Sequence, residues 1–192
     1  ISTAPECCAM TTELLLAFIA FAFVTSVTPG PNNMMLLASG VNFGLRRSLP
    51  HMFGISLGFM LLVASVGLGL GQLFEQVPLL YDVLRYLGAA YLLYLAWKIA
   101  GSGAPQDGGK PVGKPFTFLQ AAAFQWVNPK AWIMAIGAIT TYTPQENFVV
   151  NVLLIAALFA LVTCPSVGLW TVAGSLLRNW LSNARALRIF NI

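Results

Sequence analysis

The sequence predicts an all-α polytopic membrane protein, and two observations carry that prediction. Of its 192 residues, 58% are hydrophobic and only 8% are charged, and the mean hydropathy of +0.78 excludes an ordinary soluble domain. No charged residue occurs from Leu14 to Leu45. A continuous helix of that length would span about 48 Å at roughly 1.5 Å per residue, whereas a hydrocarbon core is about 30 Å thick. The chain is therefore expected to break or turn back within this run.

The predicted break lies at Pro29-Gly30-Pro31, where two prolines remove backbone N–H donors and a glycine loosens φ and ψ. One half-helix is expected to end near Val27 and another to begin near Asn32. Asn32 and Asn33 add side-chain amides where free backbone N–H groups and the positive end of a helix dipole attract an anion. Because unwound backbone at membrane depth is tolerated where it lines a cavity, this stretch is the predicted binding site.

Further apolar segments follow, separated by short hydrophilic gaps. With the broken first span included, the predicted spans cover residues 12–43, 49–71, 79–97, 116–140 and 148–177. Residues 1–9 are expected to form an irregular leader. Residues 101–115, which are rich in Gly and Pro, are expected to form a loop that divides the chain.

The gaps alternate in charge along the chain. Arginines follow the first span, acidic residues follow the second, lysines follow the third, Glu146 follows the fourth, and arginines follow the fifth. Cytoplasmic loops carry an excess of Lys and Arg. The basic loops are therefore expected to be cytoplasmic and the N-terminus to be outside.

A second break is predicted inside the fourth span, at Asn128-Pro129-Lys130. Lys130 is the only charged residue between Phe116 and Gln145. Its ammonium is expected to face a cavity or a carboxylate, or else to snorkel or pair with carbonyls that Pro129 frees. Asn128 would be a polar partner in either case.

The two broken helices predict two related units. Each unit opens with a helix that a proline interrupts, and an odd number of spans per unit would make the units inverted repeats, as in many secondary transporters. The first repeat is assigned to residues 10–100, the loop to 101–115 and the second repeat to 116–192. Since the sequence stops at Ile192, where a sixth span falls due, the last helix is expected to be missing.

His51, Gly54, Ser56 and Gly58 form a second group of candidates. The pattern Gly54-x-Ser56-x-Gly58 fits a serine nucleophile, but a nucleophile elbow needs a strand, a turn and a helix, and no acidic residue is placed to orient His51. Glycines four residues apart let a neighbouring helix approach closely. We therefore expect Gly54, Ser56 and Gly58 to be packing residues. His51 is expected at the membrane interface, where an imidazole that titrates near neutrality would suit a pH-sensitive gate.

The sequence predicts neither a metal site nor a cofactor. Cys7, Cys8 and Cys164 have no metal-ligand spacing and no even disulfide framework. The net charge of +4 comes from basic residues in short gaps, which indicate topology and not nucleic-acid binding. No carboxylate lies in the middle of a span, so a proton relay of buried acids is not evident.

Four motifs in this order resemble the LysE/RhtB family of amino acid exporters: residues 28–33, residues 54–59, residues 88–98 and Asn128-Pro129-Lys130. The resemblance extends over residues 10–192, and its first motif is most similar to the cysteine and O-acetylserine exporter branch. It implies a six-helix fold of two inverted three-helix repeats with broken first and fourth helices, from which this chain departs by lacking the last helix. It also implies efflux of amino acids or small derivatives across a bacterial inner membrane, driven by the proton-motive force.

The sequence is thus interpreted as a secondary transporter that exports a small zwitterion by alternating access, with neutral amino acids such as cysteine, O-acetylserine, threonine or homoserine favoured. The expected partners are that amino acid and the lipid bilayer, with no nucleic acid, and a homo-oligomer is left open. The alternatives are a non-transporting accessory subunit and an intramembrane enzyme that uses Ser56. The expected substrate-binding residues are Pro29, Gly30, Pro31, Asn32, Asn33, Asn128, Pro129 and Lys130.

Overall fold

The computed structural model describes residues 10–70 and 114–181, together with single positions between residues 76 and 93. The described part contains helices and turns and no strand, which confirms the all-α prediction. Its helices are α1 (Thr12–Val27), α2 (Pro31–Ser65, continued by a π-helical turn over Val66–Leu70), α3 (Phe118–Gln125), α4 (Pro129–Tyr142) and α5 (Phe148–Leu181).

The first break lies where the sequence predicted it. Helix α1 begins after Thr11, whose hydroxyl accepts from the backbone N–H of Leu14, and it ends at Val27. Helix α2 begins at Pro31, a residue suited to the first helical position because its missing N–H would be unpaired there in any case. Residues 28–30 are therefore the non-helical connection between the two half-helices.

Gly44 marks a sharp turn within α2, with φ 77° and ψ 171°. The hydroxyls of Ser39 and Ser48 lie 2.7 Å apart, although nine residues of straight helix would separate them by about 13.5 Å. The chain therefore folds back at Gly44. The predicted gap between the first two spans, which includes Arg46 and Arg47, is not present: the chain turns at Gly44 alone, and both arginines lie in the helix that follows.

The second predicted break is also present. Helix α3 opens with a capping box between Thr117 and Gln120, and it ends at Gln125. After three non-helical residues, α4 begins at Pro129, and the Asn128 side chain accepts from the backbone N–H of Lys130. Helix α5 runs without interruption through Pro165, in agreement with the predicted fifth span.

Aromatic side chains join the helices into one core. Phe159 of α5 packs edge-on against Phe18 of α1 and Phe59 of α2, with ring centroids 5.3 and 4.8 Å away. Two glycines allow α2 and α5 to touch: a Cβ on Gly40 would lie 2.2 Å from the Thr171 carbonyl oxygen, and one on Gly174 would lie 2.1 Å from the Leu37 carbonyl oxygen. The bundle is therefore held by backbone contact as well as by side chains.

The two ends of the bundle differ in charge. A Cβ on Gly44 would lie 3.7 Å from a guanidinium nitrogen of Arg178, so Arg46, Arg47 and Arg178 gather at one end, here called the basic end. At the opposite end the Phe18 and Tyr142 rings lie 5.8 Å apart. Two described acidic residues lie at that end, Glu13 in the first turn of α1 and Glu146 between α4 and α5, so it is called the acidic end.

Two helical stretches in the described part are long and apolar enough to cross a membrane, Pro31–Leu70 and Phe148–Arg178, and Thr12–Val27 is a shorter apolar helix. The isolated positions described within the predicted third span are helical, and a Cβ on Gly88 would lie 2.5 Å from the Val127 carbonyl oxygen. The rest of that span, the predicted leader at residues 1–9 and most of the predicted loop at 101–115 lie outside the described residues.

Candidate functional site

The two breaks lie side by side around one cavity, which has a volume of about 30 Å³. This is room for one or two water molecules and is smaller than any amino acid. Six of the eight predicted substrate-binding residues line it, and Pro29 and Pro129 are the two that do not. The lining residues from the breaks are Gly30, Pro31, Asn32, Asn33, Asn128 and Lys130.

Lys130 carries the only charge among the described residues that line this cavity. Its Nζ donates a 2.6 Å hydrogen bond to the backbone carbonyl oxygen of Thr28, at the end of α1. Carbonyl groups at a helix C-terminus are unpaired and carry the negative end of the dipole, so they suit a cation. The ammonium therefore pairs across the two halves of the chain and not with the carbonyls that Pro129 frees.

Gly30 makes room for the Lys130 side chain. A Cβ on Gly30 would lie 2.9 Å from Cδ and 3.1 Å from Nζ of Lys130. The glycine of the first break thus lets the aliphatic part of Lys130 lie directly against the backbone. Close approach, as well as conformational freedom, is a reason for glycine at this position.

The Asn33 side chain forms hydrogen bonds with backbone carbonyls at the first break. Its amide Nδ2 donates to the carbonyl oxygens of Ser26 at 2.9 Å and Thr28 at 2.8 Å, and the residue is only 2% exposed. The indole N–H of Trp170 donates to the Val27 carbonyl oxygen at 3.0 Å. These side chains satisfy the carbonyls that α1 leaves unpaired, so the Asn33 amide N–H group holds the break in shape.

Asn32 pairs with Gln125, a residue that the sequence analysis did not single out. The Asn32 amide donates to the Gln125 side-chain oxygen at 2.8 Å, and the Gln125 amide donates back to the Asn32 oxygen at 3.1 Å. Gln125 is fully buried, and its amide also donates to the Ala121 carbonyl oxygen at 2.9 Å. The signal in the sequence was a glutamine within an apolar stretch directly before the second break.

Two hydroxyl groups on the cavity wall were also missed. Ser26 of α1 and Thr163 of α5 are buried, and their hydroxyl oxygens lie 3.1 Å apart. Either hydroxyl can donate in this bond. Both residues line the cavity because of the way α5 packs against α1, which no local pattern in the sequence specifies.

The group formed by His51, Gly54, Ser56 and Gly58 does not line this cavity. A Cβ on Gly54 would lie 2.4 Å from the Phe118 carbonyl oxygen, and one on Gly58 would lie 2.5 Å from the Ala122 Cα, so α3 approaches α2 closely at both glycines. The Ser56 hydroxyl donates to the carbonyl oxygen of Met52 in its own helix. No catalytic arrangement is present around Ser56 within the described residues.

His51 lies inside the bundle and not at an interface exposed to water, which corrects the expectation from the sequence. Its ring is 1% exposed and stacks on Phe116, with centroids 5.2 Å apart. Neither ring nitrogen has a hydrogen-bond partner within the described part of the chain.

Comparison with known proteins agrees with this architecture. A family model described as LysE type translocator matches residues 23–192. A cysteine/O-acetylserine efflux protein from Salmonella choleraesuis is 37% identical over 171 residues, which cover 87% of this chain and 85% of that protein. The protein of the same name from Escherichia coli K12 is 36% identical over the same shares. No solved structure matches the chain.

Proposed function

The chain belongs to the LysE type translocator family, whose members are transporters and not enzymes, and from that premise we propose that it exports amino acids or small amino acid derivatives. Cysteine and O-acetylserine are the proposed substrates, because relatives that are 36% and 37% identical over 171 residues are named for their efflux. The observation that carries the proposal is the contact between the Lys130 ammonium and the Thr28 carbonyl across a cavity that both breaks line.

The chemistry of that contact suits a zwitterion. A substrate carboxylate can bind the Lys130 ammonium, and the substrate ammonium can then bind the Thr28 carbonyl oxygen that Lys130 releases. The substrate would therefore insert between two groups that already bind each other, and neither charge would be left without a partner in the membrane. Asn32 and Asn128 are the proposed further ligands from the two breaks, because both line the cavity.

The proposed transport cycle is alternating access between two inverted repeats. Each half of the chain opens with a helix interrupted by three non-helical residues, and in each half a proline begins the second half-helix. Broken helices of this kind mark substrate sites near the bilayer midplane in secondary transporters. The proposed division remains a first repeat at 10–100, a loop at 101–115 and a second repeat that begins at 116.

The proposed location is the bacterial inner membrane, with the basic end in the cytoplasm and the N-terminus outside. Support comes from the gathering of Arg46, Arg47 and Arg178 at one end and of Glu13 and Glu146 at the other. The proposed driving force is the proton-motive force. A protonophore is therefore expected to slow export without changing the amount of protein in the membrane.

Efflux from preloaded bacterial cells tests the proposal. Cells that make the protein and cells with empty vector are loaded with dipeptides that contain cysteine or other neutral amino acids, and with O-acetylserine, and release is followed over time. Faster release of one or a few of these compounds is the expected result. Equal release by both strains for the whole panel, with the protein present in the membrane, would refute amino acid export.

A further inference from the structure

We propose that the Asn32–Gln125 amide pair is the gate on the basic side of the cavity, and that it must open for substrate to enter from that side. The proposal rests on the transport function proposed above. It adds Gln125 as a positioning residue and gives Asn32 a role in access. The reasons are the geometry of the pair, the paths of the helices that carry it and the size of the cavity beside it.

The pair joins the two halves of the chain by two hydrogen bonds at once. Asn32 is the second residue of α2, and Gln125 is the last residue of α3. Each amide donates to the other, at 2.8 and 3.1 Å. Both groups are neutral, so they can separate without leaving an unpaired charge inside the membrane.

Helices α2 and α3 both reach the pair from the basic end. The first part of α2 runs from Asn32 to the turn at Gly44, where Arg178 lies. The returning part of α2 packs along α3, with His51 against Phe116 and Gly58 against Ala122. Since α3 begins near His51 and runs away from the basic end, its last residue meets the first turn of α2 at the cavity.

The opposite side of the cavity is lined by the other half-helices. Helix α1 ends beside Thr28, whose carbonyl accepts from Lys130 in the first turn of α4. Both helices lead towards the acidic end, where Tyr142 at the end of α4 packs on Phe18 and Phe21 of α1. One polar contact therefore crosses each side: the partly buried Asn32–Gln125 pair towards the basic end, and the exposed Lys130–Thr28 hydrogen bond towards the acidic end.

With both contacts made, the cavity of about 30 Å³ cannot hold an amino acid. The cavity therefore has to widen before substrate binds, and the contacts that cross it are the groups that have to separate. A substrate that arrives from the basic side meets the amide pair first. Separation of Asn32 from Gln125 is thus the entry step in export, provided that the basic end faces the cytoplasm.

A reversible crosslink tests whether the pair separates during transport. Because Asn32 is also a proposed ligand, the thiols are placed one helical turn away on each helix, at two residues of one apolar cluster. Leu36→Cys and Ala121→Cys are combined in a protein whose Cys7, Cys8 and Cys164 are replaced by serine, and a short bifunctional methanethiosulfonate joins the two thiols. Efflux is expected to fall to the empty-vector level after crosslinking and to return with dithiothreitol. The two single cysteine variants, treated in the same way, are the matched controls. Crosslinked protein that exports at the rate of its reduced form would overturn the proposal.

Thiol labelling tests which side the pair closes. Thr163→Cys, on the cavity wall, is labelled with a membrane-impermeant reagent in inside-out and in right-side-out vesicles of the cysteine-free protein. Adding Gln125→Leu removes both hydrogen bonds of the pair. Each interhelical hydrogen bond in a membrane protein shifts the equilibrium between the paired and the separated state by about threefold. Labelling from the basic side should therefore rise roughly sevenfold to tenfold. Labelling from the acidic side should not change. An equal rise from both sides, or none from the basic side, would overturn the proposal.

Exchange of the two side chains separates gating from general packing. Asn32→Gln alone and Gln125→Asn alone should each raise the labelling rate. The double variant keeps the combined length of the pair and should return labelling to the wild-type rate. Failure of the exchange to restore the rate would indicate a packing role and would contradict the gate. If wild-type protein exports no tested compound, the transport proposal fails, while the labelling asymmetry still decides whether the pair closes the basic side.

Discussion

Replacement of Lys130 by methionine removes the only charge on the described cavity wall and keeps much of the side-chain volume. Under the proposed binding mode, the substrate carboxylate loses its ammonium partner. A hydrogen bond to a charged group is worth about 1.5–3 kcal/mol, and about 1.4 kcal/mol corresponds to tenfold in affinity. The apparent KM for cysteine or O-acetylserine should therefore rise between roughly tenfold and a hundredfold.

The structure favours the lower part of that range. The Lys130 ammonium already binds the Thr28 carbonyl at 2.6 Å, so substrate has to exchange one partner of Lys130 for another. Lys130→Met removes this competing contact as well as the substrate contact. We therefore expect the apparent KM to rise about tenfold, because the loss of the substrate contact and the loss of the competing Thr28 contact partly offset each other.

The assay is uptake of labelled substrate into inside-out vesicles, with transporter abundance measured in the same membranes. Amino acid amides, which lack the carboxylate, provide the matched comparison: wild-type protein should prefer the acid over the amide, and Lys130→Met should lose that preference. Equal apparent KM values for wild type and variant, or an unchanged preference for the acid at equal abundance, would refute the role assigned to Lys130.

Three further changes test the surrounding structure. Asn33→Ala should lower the stability of the detergent-solubilised protein by roughly 1–3 kcal/mol, because the buried Ser26 carbonyl at the end of α1 loses its donor. Asn42→Ala, which removes an exposed bond within α2, should have little effect in the same thermal unfolding measurement. Gly58→Ala should reduce the amount of folded protein seen in size-exclusion chromatography, because the new Cβ would lie 2.5 Å from the backbone of α3. Gly137→Ala is the control and should fold normally, because its Cβ would lie 3.6 Å from the nearest side-chain atom. Ser56→Ala should leave efflux unchanged, since its hydroxyl bonds only to its own helix among the described residues, and abolished transport would show that the hydroxyl has a chemical role.

The sequence located the two breaks because their causes are local. Proline removes a backbone donor and glycine relaxes φ and ψ wherever they occur, so Pro29-Gly30-Pro31 and Pro129 identify the interruptions without any tertiary contact. The cost of an isolated charge at membrane depth likewise drew attention to Lys130. The spacing of Gly54 and Gly58 predicted that a helix packs closely there, and α3 does so.

Local sequence patterns do not predict the turn near Arg46 and Arg47 or the burial of His51, because both depend on how the chain folds back on itself. The charges of Arg46 and Arg47 indicated a gap, but a left-handed conformation at Gly44 alone reverses the chain, and helix continues on both sides. The sequence predicts His51 at the membrane interface, but its side chain is buried and stacks on Phe116, which lies far along the sequence.

Composition, proline and glycine act at their own positions, so the helical class, the breaks in the first and fourth predicted spans and the resemblance to a family can be predicted without a structure. The bonds from Lys130 to the Thr28 carbonyl and from Asn32 to Gln125 cannot be predicted in this way. These partners come from opposite halves of the chain. Whether two such side chains meet depends on the rotation and depth of four half-helices relative to one another, which packing of the whole bundle sets.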